Sequence, residues 1–118
     1  MLYYYKLISK QDITRSFVIN KRAVDHFFGV NLVKHGDEGL IWIKEGDKDS
    51  QQTRIVMHQD VRLLLKTRDF NIGDVAFFIN LGDNSFRLEI ISNSIDLKKI
   101  QSRMNASNFY LSNTKIEL

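Results

Sequence analysis

The stretch Phe86-Arg87-Leu88-Glu89-Ile90 alternates apolar and charged side chains without a break, directly after the turn residues Leu81-Gly82-Asp83-Asn84. Alternation with a period of two buries one face of a strand and wets the other, so this stretch closes a hairpin over a core. Its partner is the nearly continuous apolar run Val75-Ala76-Phe77-Phe78-Ile79, entered through Ile72-Gly73-Asp74. Similar short runs recur at 3–8, 17–20, 40–44 and 53–57, each bounded by polar or turn residues. Gly46-Asp47 supplies turn chemistry between the last two. Between the strands lies one clear helical pattern. Ala23, Val24, Phe27 and Phe28 share a helical face, with Asn20 as N-cap and Gly29 as stop. Val61, Leu64 and Leu65 predict a second short helix starting near Asp60. A third helix at 95–104 and a seventh strand at 108–111 are expected in the tail. The pattern is mainly β with two or three short helices, a small barrel.

A chain of 118 residues has room for one domain and one core. Residues 1–91 are expected to form it, and 92–118 to be a polar extension packing on the same domain. The chain stops at Ile116-Glu117-Leu118 without a cap, which suggests a domain cut from a longer protein. The apolar start Met1-Leu2-Tyr3-Tyr4-Tyr5 is too short for a membrane span and lacks the order of a secretory signal, so a soluble cytoplasmic chain is expected.

Most catalytic chemistry is missing. With no cysteine there is no thiol nucleophile, disulfide framework or zinc ribbon. His26, His35 and His58 never take the spacing of a helical metal site, and the six glycines are scattered rather than gathered into a phosphate loop. Glu45-Gly46-Asp47-Lys48 is the nearest approach to a nuclease carboxylate set, but it lies in a loop. The expectation is a chain that is not itself an enzyme, with no metal or cofactor.

What remains is binding. Two polar segments stand out between the apolar strands. Ser9-Lys10-Gln11-Asp12-Ile13-Thr14-Arg15-Ser16 follows the first strand, and residues 44–54 carry Lys44, Lys48, Asp49, Ser50, Gln51, Gln52, Thr53 and Arg54. Arg and Lys reach guanine or phosphate, Gln pairs with adenine, and Asp accepts from cytosine. The alternative is that both are ordinary solvated loops. The net charge of +3 permits a nucleic-acid partner without demanding one.

The order Leu40-Ile41-Trp42-Ile43-Lys44, polar loop, Thr53-Arg54-Ile55-Val56-Met57, short helix, Phe70-Asn71-Ile72-Gly73-Asp74-Val75 and closing hairpin resembles the DNA-binding pseudobarrel family. That family includes the plant B-three domain and the recognition domains of restriction endonucleases of the EcoRII and BfiI type. The resemblance covers residues 3–91, including 17–29 as second strand and first helix. It departs where the Gly-Trp common in plant members is replaced by His58-Gln59, which leans toward the restriction branch.

The resemblance implies an open seven-stranded pseudobarrel that grips the major groove of double-stranded DNA with two arms. Carried over, the first arm is Lys10, Gln11, Asp12, Thr14 and Arg15. The second is Lys44, Lys48, Asp49, Ser50, Gln51, Gln52 and Arg54. Lys21, Arg22 and Lys34 would touch phosphate from the first helix side, and an attached nuclease or NTPase would supply catalysis. Two other readings stand beside this one. A modified-base reader or RNA-binding barrel would line a base pocket with Trp42, Tyr3, Tyr4 or Phe86. A protein-assembly domain would not touch nucleic acid at all.

Overall fold

The computed structural model describes residues 1–65, 69–104 and 107–118. Strands β1 (Tyr3–Leu7) and β6 (Val75–Gly82) pair antiparallel, with Tyr4 opposite Phe78 and Tyr5 opposite Phe77. The pair is packed on both faces, so its sequences read as apolar runs rather than alternations. Tyr4, Ala76 and Phe78 join the main core. Tyr5, Val75 and Phe77 face a second, smaller core shared with Ile100 and Met104 of helix α3 (Ser94–Met104). The Tyr5 and Phe77 rings stack at 4.5 Å, and the Ile116 backbone N–H donates to the Tyr5 hydroxyl at 3.0 Å. Strand β8 (Phe109–Ser112) pairs with the other edge of β1. The segment beyond residue 91 therefore adds both a strand and a helix to the domain.

The sheet order is β2 (Phe17–Ile19), β5 (Val61–Leu63), β4 (Gln51–Met57), β3 (Glu38–Glu45), β7 (Ser85–Ile91), β6, β1, β8. Neighbours are antiparallel except β3 and β7. Since β2 and β8 do not pair with each other, the sheet is an eight-stranded half-barrel rather than the seven-stranded one expected. The extra strand is β5, where a helix was expected from Asp60. Val61 and Leu63 both point into the core with Arg62 between them, a period of two. The strand pairs with β4 on one side and β2 on the other. Two ladders of backbone hydrogen bonds outweigh a weak helical spacing of three residues.

The helix after β2 forms as its caps predict. The Asn20 side chain accepts from the Ala23 N–H at 3.0 Å, and α2 (Lys21–Ala23) continues into a π-helical turn, Val24–Phe28. Gly29 ends it at φ +66°, left-handed backbone that suits glycine. Val24, Phe27 and Phe28 plug the half-barrel. The chain then crosses β3 at Gly39, where Val30 occupies the space a Cβ would need, 2.7 Å away. That close approach holds the 30–37 segment, and with it His35, beside the sheet.

Candidate nucleic-acid interface

The first polar segment is not a plain loop. It holds a five-residue helix, α1 (Lys10–Thr14), which Asp12 organises. The Asp12 carboxylate accepts from the Ser9 N–H at 2.8 Å, the Ser9 hydroxyl at 3.1 Å and the Val18 N–H at 2.8 Å. It also takes an ion pair from Lys6. Val18 lies on the outer strand β2, so one carboxylate shields a sheet edge and fastens α1 to it. This removes Asp12 from the base-contacting set, because its side chain is fully buried. Lys10, Thr14 and Arg15 are exposed and Gln11 is half-buried.

Gln11 reaches across to the turn between β4 and β5, donating to the Asp60 carboxylate at 3.3 Å. Arg62 makes the second link. Its guanidinium donates to the Ser16 hydroxyl at 3.0 Å and lies 3.6 Å from Asp60. The Arg62 Nε is buried and has no acceptor among the described residues. Around it opens a concavity of about 500 Å³ lined by Ser16, His35, Val56, His58, Gln59, Arg62 and Leu64. The His35 and His58 rings are 5.1 Å apart. Leu64 also borders a neighbouring hollow of about 410 Å³ with Leu40, Gln52, Thr53 and Arg54. The exposed Arg54 pairs with Glu38 at 3.2 Å, and the Thr53 hydroxyl donates to the Leu64 carbonyl.

The second polar segment is thereby divided. Gln52 and Arg54, on the outward side of β4, join the face that carries Arg62. Lys48, Asp49 and Ser50 sit in the β3–β4 turn, at the end of β4 away from the β4–β5 turn and about 20 Å from the level of Arg62 at the usual rise of a strand. There Lys48 pairs with Asp69 at 3.6 Å beside a hollow of about 700 Å³ that also holds Glu45, Asp47, Glu89 and Arg87. Lys44 lies beside Arg87 across the parallel β3–β7 pair, and Gln51 opposes Ile43. Lys21, Arg22 and Lys34 are all exposed, and the Lys21 ammonium donates to the Leu32 carbonyl at 2.8 Å and pairs with Asp25 at 3.1 Å. Sequence reasoning missed His35, His58, Gln59 and Arg62. A signal for Arg62 was present, since it stands between inward-facing Val61 and Leu63 and so must face out.

No family model and no curated protein sequence matches the chain. The fold resembles that of the N-terminal domain of Helicobacter pylori LlaJI.R1. The two share a TM-score of 0.80 at 18% identity, over 98% of this chain and 100% of that one. At that identity the likeness to the LlaJI.R1 domain is one of fold.

Among the described residues, no three or more His, Asp or Glu side chains are grouped to hold a metal ion, and no helix is long and apolar enough to cross a membrane. The 700 Å³ hollow has a different electrostatic signature. Burial pushes the Glu45 carboxyl above its ordinary range, Lys48 opposes this and Asp69 adds to it. A carboxyl raised on folding favours the folded state most below its unfolded value, and that contribution fades as pH climbs through the folded value. Glu45→Gln is therefore expected to raise the melting temperature at pH 7 and leave it unchanged at pH 4, measured by thermal unfolding at both.

Proposed function

We propose that this chain is a double-stranded DNA-binding module that reads base sequence through one continuous face. The observation that carries the reading is the joining of α1 to the β4–β5 turn around Arg62. Two polar elements distant in sequence form one rim, with Gln52 and Arg54 continuing it along β4. The rim offers what base edges require: guanidinium forks at Arg15, Arg54 and Arg62, amides at Gln11, Gln52 and Gln59, and hydroxyls at Thr14 and Ser16. Acids beside the cations suit a reader of bases rather than a general phosphate binder.

The restriction-system setting rests on the resemblance in strand order and on the fold shared with the LlaJI.R1 domain. In that setting the module works in the cytoplasm as a target-recognition domain, and a nuclease or NTPase partner performs the catalysis. The major groove is the natural seat, because only there are all four base pairs distinguishable.

Equilibrium binding to duplex DNA over a range of salt tests the reading. Affinity should fall steeply with salt. Arg15→Ala and Arg54→Ala should each cost about 1–3 kcal/mol on the preferred duplex and relax discrimination. Equal binding of both variants and the parent to every duplex would remove these residues from base reading. Absence of salt-dependent affinity would favour a protein-assembly domain.

A further inference from the structure

Strand β3 turns Ile41 and Ile43 into the core, so Leu40 and Trp42 face out, 55% and 45% exposed. An aromatic of this size left in water on a regular strand is unusual. Of the four aromatics that could have lined a base pocket, Tyr4 and Phe86 are core residues and Tyr3 packs on Phe77 under α3. Trp42 alone faces outward.

The neighbours of Trp42 across the sheet are short or polar: Gln52 on β4 and Ser85 on β7. Two residues to either side along β3, Leu40 opposes Arg54 and Lys44 lies beside Arg87. Glu38 and Glu89 pair with the two arginines, Arg54 and Arg87, at 3.2 and 2.9 Å. A flat ring flanked by an amide and bracketed by cations matches a nucleobase, which has a π-face, a polar edge and a phosphate on each side. The apolar part is confined to Leu40 and Trp42, too little for a protein partner of ordinary size. The face also continues into the Arg54 and Leu64 surface described above.

We propose that Trp42 is a stacking platform for one unpaired nucleobase of bound DNA, with Gln52 reading its edge and Lys44 and Arg87 holding the adjoining phosphates. This deepens the DNA-binding reading and rests on it.

Trp42 is the only tryptophan, so its own fluorescence reports on the site. Three duplexes of one sequence serve as probes: fully paired, with a single unpaired base, and with an abasic site in its place. The unpaired-base duplex should quench the emission and bind about five- to a hundredfold tighter than the abasic one. Trp42→Ala should lose that preference, and Trp42→Phe, which keeps a ring, should retain part of it. Equal emission and affinity for all three, with duplex binding intact, would overturn the stacking site and leave the DNA reading standing. Failure of the parent to bind any of the three would overturn both. Self-association abolished by Trp42→Ala, without a base preference, would assign the face to a protein contact instead.

Discussion

Asp12→Ala should lower the free energy of unfolding by about 3–5 kcal/mol, the usual cost of breaking a buried ion pair from one side. Folded domains hold about 5–15 kcal/mol in all, so a fifth or more of this domain's stability would go. The Lys6 ammonium is 11% exposed and lies 4.5 Å from the centre of the Phe17 ring. Burial already presses its pKa below the ordinary lysine value, and Asp12 is what opposes that pressure. Without the carboxylate, a buried charge is stranded, and the Ser9 and Val18 N–H groups lose their acceptor. Pairing the change with Lys6→Met removes the stranded charge and should recover part of the loss. Urea unfolding of the two single variants and the double variant checks this. A loss below about 1 kcal/mol in Asp12→Ala would mean that Asp12 does not hold α1 in place.

Arg62→Ala is expected to weaken binding in two ways at once. Arg62 touches both elements of the rim, Ser16 in the first segment and Asp60 in the β4–β5 turn. Its removal takes away a guanidinium facing the concavity and a link that sets the rim spacing. The preferred duplex should bind about 1–3 kcal/mol more weakly, roughly five- to a hundredfold or more. Arg62→Lys keeps the charge but not the planar fork. It should preserve salt-dependent, sequence-independent binding while losing most of the discrimination. Mobility-shift titration on preferred and scrambled duplexes separates the two contributions. Unchanged discrimination in both variants would move the reading face elsewhere on the domain.

The sheet was legible because its signals are local. Alternation at 86–90, turn residues at 81–84 and the caps at Asn20 and Gly29 each act within a few residues, and the structure realises all three. Residues 61–65 misled because Val61, Leu63, Leu64 and Leu65 satisfy periods of two and of three to four at once. Only the pairing of β5 with β2 and β4, which are distant in the chain, decides between them. Asp12 misled for a similar reason. In a polar run it reads as surface, and its burial depends on Lys6 and Val18, each six residues away. The joining of the candidate face was beyond local reading altogether, since Gln11 and Asp60 are 49 residues apart. For the same reason Lys48, Asp49 and Ser50 looked like companions of the whole segment, although β4 sets them at its far end from the turn that carries Asp60, with Arg54 midway.

Selection of bound duplexes from a fully randomised pool, at near-physiological ionic strength and with and without cytosine methylation, tests the central claim most directly. The account predicts enrichment of one short sequence by the parent chain, with the enrichment lost in Arg62→Ala. A recovered pool as random as the input, or one enriched equally by Arg62→Ala, would contradict it.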